Sequence, residues 1–242
     1  MDGKAHSHSY THRLFDEETE NALREIFNKF QREVLDYLVV SKNNPDECPT
    51  CGEAEHLATE LNRISNGKLK IEIIDKNDDI ASKLIIRYTP AFIYGSKRRN
   101  IRYYGLPSGQ EFAPFIYIHQ YIANNEIKLS NETIEIIEAI ENPLHIKIFV
   151  TPECPYCPLV VDSFNQMGLV NDLLLVETIE AVELPHEADM YGVMYVPYVV
   201  LTDPARQKEY GVEPIEVING YLPPEEMAKV IYNTSKKIKR IG

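Results

Sequence analysis

The sequence predicts an α/β protein of two tandem domains with one topology, each a central mixed four-stranded sheet flanked by helices. Three observations carry this. All four cysteines fall in C-x-x-C pairs, Cys48–Cys51 ("CPTC") and Cys154–Cys157 ("CPYC"), and the pairs stand 106 positions apart. The same succession of hydrophobic periods follows each pair. A proline, Pro90 or Pro197, then opens a strand 42 residues after Cys48 and 43 after Cys154. A repeat of that length is a domain, not a solenoid unit.

Residues 1–14 read as a flexible tail. His6, His8 and His12 in it could bind a metal only weakly, and a solvated tail is the better reading. The first domain is assigned to residues 15–128. After "CPTC", Ala54, Leu57, Ala58, Leu61 and Ile64 recur at helical spacing across Glu53–Ile64. Gly67 ends that helix, and Leu69–Asp75 alternates as a strand does. A short helix fits Asp79–Arg87, a strand begins at Ala91, and "IRYYG" supplies its hairpin partner, ending at Gly105. A helix around Gln110–Ala123 closes the unit.

Residues 129–242 hold a connecting helix and the second domain. The connecting helix is Asn131–Glu141, and Asn142-Pro143 restarts the extended chain. The strand His145–Val150 leads to "CPYC", followed by a helix over Leu159–Met167, a strand over Leu173–Thr178 and a short helix near His186–Tyr191. The strand of "YVPYVVL", the hairpin strand "IEVING" ending at Gly220 and a helix at Pro224–Lys239 complete the copy. Its hairpin connection, "DPARQKEYGVEP", is longer by several residues, a tolerable surface insertion. Strands joined through a helix should be parallel and the closing hairpin antiparallel. This is the order of a thioredoxin fold, present twice.

Disulfide exchange needs one thiol ionised near neutral pH and a second able to reach it. A free cysteine has a pKa of about 8.5, and a helix N-terminus can bring it to roughly 3.5–7.5 in such motifs. Cys154 is expected at the N-cap, facing unpaired amides, with Pro155 at the first helical position and Cys157 three residues on. Cys48, Pro49 and Cys51 repeat this arrangement. Pro158 would then stand fourth in the helix, where proline removes a ladder bond. It either loosens the first turn and favours exchange at the second site, or breaks a turn already distorted. Pro90 and Pro197 are strand starters on the plain reading. Their near-constant distance from the cysteines favours a function instead. With cis bonds, Thr89-Pro90 and Val196-Pro197 would offer backbone with which an extended substrate could pair.

From about Phe15 onward the chain resembles the two-domain protein disulfide oxidoreductases of hyperthermophilic archaea and bacteria, which are glutaredoxin-like and related to protein disulfide isomerase. "YYGLPSGQEF" (Tyr103–Phe112), "VTPECPYCPLVV" (Val150–Val161) and "IEAVELPHEADMYGVMYVP" (Ile179–Pro197) carry the resemblance. It implies Cys154 as attacking and Cys157 as resolving thiol, Cys48 and Cys51 as a second site, and Pro90 and Pro197 as cis-prolines. It also implies a cytosolic enzyme that reduces, forms or isomerises protein disulfides. With no Gly-rich phosphate loop, H-E-x-x-H or nucleophile elbow in the sequence, no cofactor beyond the thiols is expected. The partners that the resemblance implies are protein disulfide or dithiol substrates, an NADPH-linked thioredoxin reductase and a peroxiredoxin. One feature departs from the thioredoxin pattern: the acid buried about six residues before the first cysteine is replaced by Lys42 and Ile148. Glu180 and Glu183 are the candidate proton-transfer groups in its place, against the plainer reading of solvated charges.

A net charge of −12 argues against nucleic-acid or anionic-membrane partners. No apolar run approaches the ~20 residues of a membrane span, and no secretory signal is apparent, so a cytoplasmic location is expected. Other functions remain compatible with C-x-x-C pairs. A Cys₄ zinc site is disfavoured, because 102 residues separate Cys51 from Cys154 where such pairs usually lie about 15–20 apart. The alternatives are a dedicated electron carrier between a reductase and a peroxidase, and a peptide-binding chaperone whose thiols are incidental.

Overall fold

The computed structural model describes residues 13–42, 47–95 and 99–238. The three tail histidines lie outside them. The first domain runs α1 (Glu17–Asn28), β1 (Val34–Val40), α2 (Cys51–Ile64), β2 (Leu69–Asp75), α3 (Asp79–Leu84), β3 (Ala91–Ile93), β4 (Ile101–Tyr104) and α4 (Phe112–Asn124). The second repeats the order with α5 (Asn131–Glu138), β5 (Leu144–Val150), α6 (Cys157–Val170), β6 (Leu174–Glu180), α7 (Pro185–Met190), β7 (Tyr198–Thr202), β8 (Glu216–Asn219) and α8 (Pro224–Ser235). Helix α1 has no counterpart in the sequence reading. Asp16 caps it by accepting the Thr19 N–H at 2.8 Å, and Leu23 and Phe27 are its buried face.

Within each domain the first two strands are parallel and the last two antiparallel, as the connections require. The two sheets do not stay separate. Strand β4 pairs in parallel with β6, with Tyr104 opposite Ile179, giving one eight-stranded sheet in the order β2-β1-β3-β4-β6-β5-β7-β8. All four residues of β4 are therefore buried. Across this seam the Asn100 side-chain amide donates to the carbonyls of Gly168 and Leu174, both at 2.9 Å. Gly168 is needed for close approach: a Cβ there would come within 2.9 Å of the Ile101 side chain.

Helices α1, α2, α4, α5, α6 and α8 cover one face of the sheet, and α3 with α7 cover the other. Under the second face lies an ionic cluster shared by the domains. Glu187 pairs with Arg87, Tyr88 and Lys147, and Glu177 with Arg102, Tyr104 and His145. Burial would raise the Glu177 carboxyl, but His145, Arg102 and Lys147 outweigh it and hold the group well below the usual carboxylate range.

The strand directions fix where the two C-x-x-C pairs stand. Strands β1, β4, β6 and β5 all run the same way, so the carboxyl ends of β1 and β5 lie along one edge of the sheet. Four inter-strand spacings separate them, about 19 Å at ~4.8 Å each.

Candidate functional site

Both pairs are closed as disulfides, with Cα–Cα separations of 5.3 Å for Cys48–Cys51 and 5.5 Å for Cys154–Cys157. In both domains regular helix begins at the second cysteine. The cap position is held by Thr50 or Tyr156, not by the first cysteine as the sequence suggests. Cys154 nevertheless makes the bond that a capping side chain makes, its Sγ accepting the Cys157 N–H at 3.1 Å. At the first site the Cys51 N–H goes to the Cys48 carbonyl at 3.2 Å.

This placement settles Pro158. It is the second residue of α6, in the first turn, where an N–H has no helical partner to lose. Gly52 stands at the matching place in α2, and that helix starts at the same point. The loosening expected of a fourth-position proline is therefore absent.

The peptide bonds Thr89–Pro90 and Val196–Pro197 are both cis. Each proline's carbonyl accepts an N–H from the glycine that ends its hairpin, Gly105 at 3.0 Å and Gly220 at 2.9 Å. The Thr89 hydroxyl reaches the Glu47 carbonyl at 3.5 Å, tying this loop to the residue before Cys48.

Of the two candidate acids, Glu180 ends β6 and Glu183 lies in the loop after it, between the sites on the shared edge. Neither is a free solvated charge. Glu180 is buried, accepts the Val182 and Glu183 N–H groups at 3.1 and 2.6 Å, and is pushed upward chiefly by burial. Glu183 crosses to the other domain, where one oxygen accepts the Leu106 N–H at 2.7 Å and the other accepts the Thr50 hydroxyl. Gly105 leaves room for this loop. A Cβ there, at φ +100°, would come within 2.7 Å of Glu180 Cβ and 3.2 Å of Glu183 Oε1.

The acid that the sequence reading missed is Glu111. It ends a short 3₁₀ turn (Gly109–Glu111) of the first domain that packs against the second site: Gln110 N–H donates to the Pro152 carbonyl at 2.8 Å, and a Cβ on Gly109 would meet that oxygen. The Glu111 carboxyl is fully buried and neither oxygen has a hydrogen-bond partner. Burial, aided by Glu180, pushes it up to about 8. In the sequence it looks like any charge at a helix start.

Among the described residues no group of three or more His, Cys, Asp or Glu is arranged to hold a metal ion. The two cysteine pairs, four strands apart, could not share one zinc, which needs sulfurs at about 2.3 Å. Nor is any helix of the described residues long and apolar enough to cross a membrane.

Residues 144–208 match the thioredoxin domain family. The fold is similar to that of a protein disulfide oxidoreductase from Aeropyrum pernix, with a TM-score of 0.77 and 24% identity over 92% of this chain and 94% of that one. It is also similar to the alkylhydroperoxide reductase AhpF from Enterococcus faecalis, at 0.75 and 21% over 89% and 98%. By sequence, the F subunit of alkyl hydroperoxide reductase in Staphylococcus epidermidis is 27% identical over 143 residues, 58% of this chain. The chain spans about a quarter of that relative's length, 26%. By fold and by both sites, the chain is a tandem of two thioredoxin-like domains, each carrying its own C-x-x-C disulfide.

Proposed function

We propose that the protein is a thiol–disulfide oxidoreductase that reduces, forms or isomerises protein disulfides, with Cys154–Cys157 as the principal site. The Cys157 N–H directed at Cys154 Sγ carries this reading. An amide at the head of α6 pointing at that sulfur stabilises a thiolate there, and the thiolate is the attacking species.

In the reducing direction the Cys154 thiolate attacks a substrate disulfide, forms a mixed disulfide and expels one substrate thiolate. Cys157 then attacks Cys154 Sγ, expels the second substrate thiolate and closes the protein's disulfide. Two electrons pass to the substrate, and the Cys157 proton must leave during the second attack. Glu111, buried in the turn that packs against Pro152 with both oxygens unpaired, is the group we assign to accept it in its ionised form. Thr89, Pro90, Val196 and Pro197 would present backbone to an extended substrate. No cofactor beyond the thiols is required. The reductant would be an NADPH-linked thioredoxin reductase, and the setting a reducing compartment such as the cytoplasm.

A second reading is a dedicated electron carrier serving a peroxiredoxin. The likeness to the F subunit of alkyl hydroperoxide reductase favours it. One experiment separates the two. Cys157→Ser, with Cys48 and Cys51 also replaced by Ser, leaves Cys154 to attack without intramolecular release. On non-reducing gels from native lysate, a broad oxidoreductase traps many proteins and a dedicated carrier one or two. An empty gel, with the variant folded and its thiol titratable, would falsify both.

A further inference from the structure

We propose that Glu183, a residue of the second domain, is a positioning residue for the first site: it anchors Thr50 and holds a fixed negative charge beside Cys48–Cys51. The redox behaviour of that pair is then set by the opposite domain. The inference rests on both disulfides being redox centres.

The geometry starts at Thr50, the residue between Pro49 and Cys51. Its carbonyl accepts the Ala54 N–H at 3.0 Å, the first ladder bond of α2, and its hydroxyl donates to Glu183. The other Glu183 oxygen is fixed by the Leu106 N–H at 2.7 Å. Both carboxylate oxygens are thus committed to the first domain, one of them to the start of its reactive helix. Glycine at position 105 is what admits the group so close. Among the described residues the second site has no counterpart. Tyr156 occupies the place of Thr50, is 58% exposed and leans on Tyr221 of its own domain, ring centroids 6.4 Å apart.

A fixed carboxylate opposes the formation of a thiolate nearby. Since a thiolate stabilises the reduced pair, the charge lowers the first site's reduction potential. Other charged groups belong to this region: Glu47, paired with Lys76, and Glu53 from the first domain, and Glu180, which interacts with Glu183, Glu153 and Glu111. All of them stay when Glu183 alone is changed.

Glu183→Gln isolates the charge. Its amide oxygen can still accept from Leu106, and its amide N–H can donate to the Thr50 hydroxyl. The test equilibrates the protein in dithiothreitol buffers of graded poise and counts alkylated cysteines at each pair by mass spectrometry. It reads potentials directly, so it stands whether or not the protein acts on protein substrates. In Glu183→Gln the equilibrium constant at Cys48–Cys51 should move toward the reduced form by roughly three- to tenfold, as a thiol shift of about half to one pKa unit gives. Cys154–Cys157 should change by less than about twofold, because no such bond reaches its helix start. A Thr50→Val background, where the anchor is gone, should at least halve the effect. A first-site potential unmoved by Glu183→Gln, equal shifts at both sites, or full additivity with Thr50→Val would each overturn the proposal. Should Glu183→Gln fold poorly, Thr50→Val alone must still shift the first site and leave the second in place.

Discussion

At the first site the residue between the cysteines is held by the other domain, through Glu183; at the second, Tyr156 in the same place is exposed and rests on its own domain. The burdens are also crossed in the opposite sense. The second site is braced by the first domain, whose Gln110 bonds Pro152 and whose Glu111 is buried behind it. The cysteines differ too. Cys154 is the more accessible of its pair, whereas at the first site Cys51 is partly exposed and Cys48 is only 3% exposed. The two copies therefore share a scaffold, meaning the helix start, the proline and the paired glycine, and differ in the contacts that the other domain makes at each site. Local sequence builds a C-x-x-C site, and the neighbouring domain gives each site a different set of contacts.

The sharpest way to break this comparison is to remove the first cysteine of each pair in turn. Cys154→Ser should lower insulin reduction by on the order of a hundredfold, and Cys48→Ser by less than about threefold. Equal losses would mean that the two sites are equivalent in use.

Glu111→Gln probes the brace behind the second site. A carboxyl raised in the folded state to about 8 holds a proton that the unfolded chain releases near its ordinary value of 4.5. The unfolded state therefore binds fewer protons between these values, and wild-type stability should fall as pH rises through that window. The variant lacks this slope. It should match wild type near pH 4.5 and exceed it by a few kcal/mol near pH 8 in urea titrations. It should also slow release of the mixed disulfide at Cys154. Parallel stability profiles would remove the buried acid from the account.

The matched glycines give a smaller contrast. Gly105→Ala meets the Glu180 loop as well as a positive φ, and should cost about 2–4 kcal/mol. Gly220→Ala, at φ +77° with nothing within 4 Å, should cost about 1 kcal/mol. Denaturation midpoints that shift equally would show that the loop yields.

Smallest is the contrast between the cap residues. Thr50→Val leaves one Glu183 oxygen unsatisfied and should cost about 1 kcal/mol. Tyr156→Ala, at an exposed place, should stay within about 0.5 kcal/mol.

Much of the fold is legible in the sequence because each domain is built of short periodic segments between clear breaks. The Leu69–Asp75 strand and the start of α8 at Pro224 fall where alternation and helical spacing place them. Helix α1 offered a signal, Asp16 before a charged first turn, but no cysteine motif drew attention to it. The β4–β6 seam is harder to see. Pairing between edges of two repeats leaves no period of its own, and only the burial of both faces of "IRYY" marks an interior strand. Glu111 and Glu183 differ in the same way. A carboxylate's neighbours across a domain boundary are set by packing that no local pattern encodes, so the sequence offers Glu183 as a proton-transfer group and carries no sign of its bond to Thr50.

The parallel seam has one more consequence. Pairs carried at the ends of strands about 19 Å apart cannot exchange directly, since a disulfide needs Cα atoms within about 7 Å. Electrons entering at one pair leave by the other only on a third, diffusing or flexible thiol pair. One polypeptide can meet both ports at once, because about six extended residues at ~3.3 Å each span the gap. Once its first thiol is captured, the second arrives at an effective concentration in the millimolar range. On the proposed function, substrates with two disulfides at that spacing should be processed in a single encounter.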